Sequence, residues 1–180
     1  SIQLAVNLSD SQFHDANLTN TVAHALTETK FPAELLDLEL TETIVFRNPE
    51  HAITILQGLR ALGVQLALDD FGTGFSSLRH LQQYPINALK IDQSFIRDIA
   101  TNERDATITR TVIAMAHSLG LRILAEGVET QEQLDFLREH GCEEVQGFIV
   151  SRPLPPEQFM KFVAKHIATE AGRRFTSFRR

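Results

Sequence analysis

Short runs of apolar and β-branched residues alternate along the chain with longer stretches that have helical spacing. Six of these runs predict strands, at residues 2–7, 35–40, 64–69, 88–92, 121–126 and 144–149. The stretches between them begin with recognisable caps: Asn48 precedes Pro49 at a first helical position, and Thr130 with Gln133 makes a capping box. The pattern therefore predicts strands and helices in alternation.

Three of the predicted helices end at a glycine that a strand follows at once, at Gly63, Gly120 and Gly141. Glycine readily takes the left-handed conformation that ends a helix. The strand at 64–69 is apolar enough to be covered on both faces. These repeated βα units predict an α/β fold with a parallel sheet.

Polar residues at the strand ends favour a (β/α) barrel over an open doubly wound sheet. A doubly wound nucleotide-binding fold usually has a glycine-rich turn after its first strand, whereas a barrel draws its active site from many strand ends. Six successive predicted strands carry a polar side chain at or near the carboxyl end, namely Asn7, Glu39, Asp69, Lys90, Glu126 and Gln146. A closed barrel has eight strands and about 250 residues. We therefore expect an incomplete TIM-like barrel of about six strands, with two strands missing upstream.

Composition and charge narrow the classes of function. With 180 residues, 43% hydrophobic and 22% charged, the chain resembles an ordinary soluble domain, predicted at 1–170 and followed by a basic tail at 171–180. The net charge of −6 argues against binding to duplex nucleic acid. No apolar run reaches roughly eighteen residues, so this segment is not expected to insert into a membrane. The single cysteine, Cys142, fits a reducing compartment and a cytoplasmic location, even if the parent protein is membrane-anchored.

The most specific stretch is DDFGTGFSSL at 69–78, with two adjacent carboxylates at a strand end and then a loop with two glycines. Adjacent strand residues point to opposite faces, but a turn at the strand end can bring both carboxylates to one rim. An acidic helix start beside a glycine turn explains one aspartate better than the whole string. Asp70-Phe71-Gly72 also matches the metal motif of protein kinases, but no other kinase signature accompanies it, so that alternative is rejected.

The remaining acids are weak signals singly and a stronger one together. Glu39 and Glu42 would most often belong to a solvated turn, and Lys90 with Asp92 could be a structural ion pair on one strand face. Five carboxylates would nevertheless crowd around Lys90, namely Glu39, Asp69, Asp70, Asp92 and Glu126. Like charges raise each other's pKa unless cations neutralise them, and oxygen ligands suit magnesium or manganese.

The motifs NLS, ELTE, DDFGTGFSSL, KID, AEGVET and QGF followed by SRPLP occur in this order over essentially the whole chain. In this they resemble the EAL-domain cyclic di-GMP phosphodiesterases of bacteria. The resemblance implies a modified TIM barrel with one antiparallel strand. It also implies hydrolysis of cyclic di-GMP to linear pGpG with two Mg²⁺ or Mn²⁺ ions by in-line displacement.

The resemblance also implies roles for individual residues. The metal ligands would be Asn7, Glu39, Asp69, Asp70 and Glu126. The catalytic residues would be Lys90, Glu126 and Asp92, with water activation assigned mainly to the metals and Lys90 if Glu126 is a direct ligand. The substrate-binding residues would be Gln146 and Glu129. Glu42 would anchor the loop after Asp70, and a loop associated with metal binding and dimerisation begins with Phe71, Gly72, Thr73 and Gly74.

The Glu-Ala-Leu signature itself, with a further metal ligand and a substrate-binding arginine, does not occur in this chain. The later positions match in residue type, which indicates truncation and not degeneration. We therefore expect weak or no activity from this chain alone. The implied partners are cyclic di-GMP, a second copy in a homodimer, and sensory or GGDEF domains in the parent protein.

Three alternatives remain at this point. A non-hydrolysing cyclic di-GMP receptor would normally have lost metal ligands that this chain retains. A different barrel enzyme would be either a Schiff-base aldolase using Lys90, which does not need the carboxylates, or an enolase-like enzyme, which usually adds a lysine-rich strand. A purely structural interaction domain would leave the convergent acids unexplained.

Overall fold

A computed structural model describes residues 2–74 and 78–170. Six strands form one sheet in the order of the chain, with every neighbouring pair parallel. They are β1 Leu4–Asn7, β2 Leu36–Thr41, β3 Gln65–Phe71, β4 Ala88–Ile91, β5 Arg122–Ala125 and β6 Glu144–Val145. The predicted incomplete barrel of six strands is therefore confirmed as a half-barrel. The antiparallel strand that the resemblance implies is not among these six.

Helices connect the strands and cover the outer face of the sheet. A 3₁₀ turn, Ala33–Leu35, precedes β2. The α-helices are α1 Asp10–Phe13, α2 Leu18–Thr29, α3 Glu42–Phe46, α4 Pro49–Ala61, α5 Leu78–Leu81, α6 Gln93–Ile96, α7 Glu103–Ser118, α8 Gln131–Glu139 and α9 Pro156–Glu170.

The predicted helix ends are confirmed. Asn48 accepts a hydrogen bond from the backbone N–H of His51 at the start of α4, and Thr130 forms the capping box with Gln133 at the start of α8. The three predicted glycines have positive φ angles just after α4, α7 and α8: 91° at Gly63, 69° at Gly120 and 82° at Gly141.

Alternation along the strands separates an apolar outer face from a polar inner face. Leu38 and Leu40 of β2 are buried in the hydrophobic core that the sheet shares with the helices. Because successive strand residues point to opposite faces, Glu39 between them points into the half-barrel. The same argument places Lys90 on the inner face of β4, between Leu89 and Ile91. The fold thus collects polar side chains inside the half-barrel.

Three predicted strands end earlier than the sequence pattern indicated. The run at 121–126 ends at Ala125. The run at 144–149 forms only a two-residue strand, because the chain turns at Gly147, whose carbonyl accepts a hydrogen bond from the N–H of Val150. The run at 88–92 ends at Ile91, because Asp92 is the N-cap of α6. Conversely, β2 continues to Thr41, so Glu39 lies within this strand and not at its end.

The outermost strands, β1 and β6, each pair on one side only within the described residues. Leu4 and Val6 of β1 are 50% and 39% exposed, and Phe148 and Val150 after β6 are 46% and 51% exposed. Open strand edges and apolar patches are surfaces that proteins normally cover. No helix in the described ranges is both long and apolar enough to cross a bilayer. The domain boundary at 170 stays a prediction, and the basic tail at 171–180 lies outside the described residues.

Candidate active site

An irregular end of β3 brings the carboxylates of Asp69 and Asp70 to one rim. The pairing of β3 with β4 shifts register between Leu68 and Phe71, and Asp70 has a φ of 54°. This left-handed conformation is uncommon outside glycine, although aspartate tolerates it better than most residues. It breaks the alternation of the strand at this point. The Asp70 N–H also donates a hydrogen bond of 2.9 Å to the Asp69 carboxylate.

Three acids from two strand ends converge at this rim. One carboxylate oxygen each from Asp69, Asp70 and Glu126 lies within 4.8 Å of the others. All three donors are hard oxygens, which magnesium, manganese and calcium prefer. The chemistry and spacing of this cluster therefore fit a divalent cation, as the sequence predicted.

Lys90 lies beside the acids with its side chain only 4% exposed. Its ammonium nitrogen is 2.7 Å from Glu39, 3.1 Å from Asp69 and 2.7 Å from Glu126. Burial alone would lower the pKa of Lys90, but the hydrogen bonds with Glu126 and Glu39 and the nearby negative charge raise that pKa overall.. A lysine held in its charged form lacks the free electron pair that a Schiff-base aldolase needs.

The acids carry more negative charge than Lys90 balances. Burial raises the pKa of Glu39 and of Glu126, the hydrogen bond from Lys90 acts in the opposite direction, and the charge of Asp69 adds to the increase. Burial and the charge of Asp69 also raise the pKa of Asp70. Repulsion among these carboxylates is what a bound cation would relieve.

The expected ring of five carboxylates around one lysine is only partly formed. Within the described residues, Lys90 pairs with three of them and not with Asp92. Asp92 instead accepts hydrogen bonds from the N–H and the hydroxyl of Ser94, because it caps α6. It remains near the cluster, since its charge contributes to the raised pKa of Asp70. The suggested ion pair between Lys90 and Asp92 was therefore wrong.

Asn7 is the last residue of β1 and lies directly beside Glu39 in the register of β1 with β2. Because paired residues of neighbouring parallel strands face the same side, Asn7 also faces the interior. Asn7 and Glu39 are thus at the same level of the half-barrel, where an amide oxygen could join carboxylates around a cation.

Glu42 begins α3, is 2% exposed and contacts the loop after Asp70. Its Oε2 accepts a hydrogen bond from the Gly72 N–H at 3.1 Å, and its Oε1 has no hydrogen-bond partner among the described residues. A Cβ atom at Gly74 would lie 2.8 Å from Oε1. The Thr73 hydroxyl donates to the Asp70 carbonyl, and Phe71 is buried. Glu42 thus holds the described start of the loop.

The two residues expected to bind substrate lie on the following loops. The Gln146 N–H donates a hydrogen bond to the Ala125 carbonyl, and the Gln146 carbonyl accepts one from the Val128 N–H. A Cβ at the next residue, Gly147, would lie 2.2 Å from the Val128 carbonyl oxygen. Glycine at this position therefore allows the two backbone segments to approach closely. Glu129 is exposed and lines a polar cavity of about 280 Å³. The other residues of this cavity are Asp92, Gln93, Ser94, Arg97, Gly127 and Gln133.

Sequence reasoning missed a second set of charged residues inside the half-barrel. Arg122 at the start of β5 forms ion pairs with Asp37 of β2 and Glu144 of β6. The sequence contained a signal for this set. Asp37 lies two residues before Glu39 on the same strand, so the two side chains share a face and Asp37 also points into the interior.

Comparisons with known proteins agree with this site. The EAL domain family model matches residues 1–153. The chain is 48% identical over 162 residues to the cyclic di-GMP phosphodiesterase NbdA of Pseudomonas aeruginosa. The aligned residues make up 90% of this chain and 21% of that protein. The chain spans about a fifth of the length of the curated relatives it matches first.

Two solved structures extend the comparison. The c-di-GMP complex of the P. aeruginosa MucR phosphodiesterase superimposes with a TM-score of 0.85 at 43% identity, over 87% of this chain and 64% of that one. The manganese and c-di-GMP complex of Klebsiella pneumoniae BlrP1 gives a TM-score of 0.77 at 34% identity, over 84% of this chain and 39% of that one. At 43% and 34% identity, these two structures share sequence as well as fold with this chain.

Proposed function

This chain belongs to the EAL domain family, and from that premise we propose that the protein containing it hydrolyses cyclic di-GMP to linear pGpG with two divalent metal ions. Relatives of the chain are named cyclic di-GMP phosphodiesterases. The observation that carries the proposal is the convergence of Asp69, Asp70 and Glu126 within 4.8 Å, beside a buried lysine. A non-catalytic receptor has no need of that arrangement.

We assign Asp69, Asp70 and Glu126 as metal ligands, joined by Glu39 and Asn7 on the neighbouring strands. The proposed ions are Mg²⁺ or Mn²⁺, and BlrP1 is a relative whose structure contains manganese with the cyclic dinucleotide. Such ions neutralise phosphate charge and make a bound water more acidic. The excess of carboxylates over lysine at this rim is the physical reason to expect them.

Lys90 has the role of a charged hydrogen-bond donor. A lysine ammonium has three N–H groups, and those of Lys90 face Glu39, Asp69 and Glu126. To hold an attacking water, Lys90 would exchange one of these contacts for the water. Its charge would then favour the deprotonated form of that water while the carboxylates keep the side chain in place.

The substrate would lie across the mouth of the half-barrel. We assign Gln146 and Glu129 to substrate binding and Asp92 to the edge of the same site. Glu129 and Asp92 line the polar cavity that also includes Gly127, next to Glu126 of the acid cluster. Gln146 lines a second cavity. A donor- and acceptor-lined cavity suits a nucleotide base better than an apolar ligand.

The partners of the whole protein are also proposals. The loop that Glu42 holds, Phe71 to Gly74, is the proposed contact with a second copy. Sensory or GGDEF domains are proposed elsewhere in the parent protein, as the relative MucR is a bifunctional diguanylate cyclase and phosphodiesterase. A cytoplasmic location would give the site access to a soluble second messenger.

The test is chromatographic turnover of cyclic di-GMP by the full-length protein, with Mg²⁺ or Mn²⁺ and with chelator. We expect metal-dependent formation of pGpG in the wild type and its loss in Glu126→Gln. Glu139→Gln is the matched control, because Glu139 is an exposed acid at the end of α8. Tight nucleotide binding without turnover would overturn the hydrolase proposal and support a receptor.

A further inference from the structure

A second cationic side chain, that of Arg122, lies inside the half-barrel one level below Lys90. One guanidinium nitrogen of Arg122 is 3.2 Å from Asp37 Oδ2, and the other is 2.9 Å from Glu144 Oε1. Asp37 has a side chain only 13% exposed, and its other oxygen has no hydrogen-bond partner among the described residues. The charge of Asp37 therefore depends on Arg122 for direct compensation.

The strand register relates this level to the proposed active site. Asp37 precedes Glu39 by two residues on β2. Glu144 begins β6, and Gln146 follows two residues later, just after this strand. Arg122 begins β5, the strand that leads into Glu126. Since residues two apart on a strand share a face, Asp37 and Glu39 point into the interior one above the other.

Arg122 connects strands that are not neighbours in the sheet. Two strands, β3 and β4, separate β2 from β5, and the ion pair with Asp37 crosses the interior between them. Lys90 makes a similar connection one level higher, because it contacts both Glu39 and Glu126. The separation of β2 from β5 is thus fixed at two levels, of which only the upper one contains proposed metal ligands.

We propose that Arg122 is a positioning residue for the metal site: its bridge to Asp37 holds β2 at a fixed distance from β5 and so holds Glu39 against Glu126. The inference rests on the proposed function of the acid cluster as a metal site. The planar fork of arginine suits this role, because it can bind two carboxylates at once, whereas a lysine offers one compact charge.

A positioning role and a purely electrostatic role predict opposite results for Arg122. If only charge mattered, Arg122→Met would make the interior more negative and strengthen cation binding, whereas Asp37→Asn would weaken it. If the bridge matters, both changes break the same contact and both weaken binding. The double variant then adds nothing to either single change, because the two residues act as one unit.

The experiment measures Mn²⁺ binding to the full-length protein from the loss of the free-ion EPR signal. The proteins are the wild type, Arg122→Met, Asp37→Asn, the double variant, and Arg110→Met as a control. Arg110 pairs with Glu103 on the exposed side of α7, so its loss also removes an ion pair. Circular dichroism establishes that each variant is folded, and Arg122→Lys serves if Arg122→Met is not.

We expect both single variants to weaken Mn²⁺ binding by about tenfold, as for other residues that orient metal ligands. The double variant should match them, with Arg110→Met unchanged. Stronger binding in Arg122→Met would overturn the proposal, and so would results equal to those of the control.

Hydrogen exchange of the metal-free protein separates failure of this inference from failure of the proposed function. If the wild type binds no Mn²⁺ and turns over no cyclic di-GMP, the proposed function fails. The bridge still predicts faster exchange at 38–41 and 123–126 in Arg122→Met than in Arg110→Met. Equal exchange in the two variants would overturn it.

Discussion

The carboxylate of Glu42 accepts a hydrogen bond of 3.1 Å from the backbone N–H of Gly72, thirty residues later in the chain. The contact joins the first turn of α3 to the loop that follows the paired aspartates. Glu42 is buried, so the position of its side chain is fixed by packing as well as by the hydrogen bond. Glu42 therefore positions the loop next to the proposed metal ligands. It is not among the acids that Lys90 contacts in the described part of the chain.

Gly74→Ala tests this contact. The added methyl would lie 2.8 Å from Glu42 Oε1, so the carboxylate must move away from the loop. We expect a loss of roughly 1–3 kcal/mol in the free energy of unfolding, typical of overpacking, together with reduced turnover. Urea unfolding followed by circular dichroism measures the first, and chromatography the second.

The control for this prediction is the same change in a Glu42→Ala background, where the methyl has no carboxylate to displace. Gly74→Ala should then cost clearly less stability than in the wild type. An equal cost in both backgrounds would show that Glu42 is not the group that Gly74 accommodates.

Lys90→Met should separate the stability of the site from its chemistry. The substitution removes the ammonium group that contacts Glu39, Asp69 and Glu126. Breaking a buried ion pair on one side typically costs about 3–5 kcal/mol, and we expect a loss of that order in the free energy of unfolding without metal. Added Mn²⁺ should recover part of it, because a ligand that binds only the folded state stabilises that state.

Arg110→Met gives the comparison for Lys90→Met, since it removes a cation that is only partly buried and pairs with the exposed Glu103. Its effect on urea unfolding should be small and independent of Mn²⁺. A Lys90→Met protein as stable as the wild type in chelator would contradict the electrostatic account of the acid cluster.

The backbone of Asp70 makes a different prediction, because its φ of 54° lies in the left-handed region. Glycine takes this conformation without the steric cost that Cβ brings, which is roughly 1–2 kcal/mol for ordinary residues. Asp70→Gly should therefore be more stable than Asp70→Ala by about 1 kcal/mol. Both variants should lose turnover, because both lack the carboxylate.

Urea unfolding of the two Asp70 variants and their turnover in Mn²⁺ check this pair of expectations. Equal stability would mean that the left-handed conformation is not retained after substitution. Full turnover in either variant would remove Asp70 from the proposed metal ligands.

Much of the fold follows from short-range patterns in the sequence. The apolar run at 35–40 predicted β2, and Gly63 marked the end of α4. The parallel sheet then followed from the repeated βα units, and the incomplete barrel from the polar residues at the strand ends. These features depend on residues close together in the chain, which is why a single sequence predicts them.

The site was predictable as a set of residue types and less so as a set of contacts. Asp92 directly follows a strand, as Glu126 does, but the hydrogen bonds that it accepts from Ser94 compete with Lys90 and prevail. The register shift in β3 that brings Asp69 and Asp70 together has no sequence signal beyond the two aspartates. The bridge from Arg122 to Asp37 joins residues 85 positions apart, a distance at which one sequence gives no pairing.

Cys142 offers a sensor of local opening, because it is the single cysteine of the chain and is 3% exposed. Burial raises the pKa of its thiol to about 12, from an ordinary value of 9.0. The reactive species is the thiolate, so the folded protein should resist iodoacetamide at neutral pH. Its Sγ contacts the Glu144 carbonyl at 3.3 Å, so labelling requires the segment before β6 to open.

The sign of the pH dependence follows from the same shift. Above pH 9 the unfolded chain loses its thiol proton, while the folded chain retains it up to about pH 12. The contribution of Cys142 to the free energy of unfolding therefore falls as the pH rises from about 9 to about 12. Labelling should accelerate there through opening, and Cys142→Ser should flatten the decline in the free energy of unfolding. Mn²⁺ should slow the labelling if it binds Glu126 at the end of β5, since binding opposes opening. Rapid labelling of the native protein at neutral pH, monitored by mass spectrometry, would contradict the buried thiol.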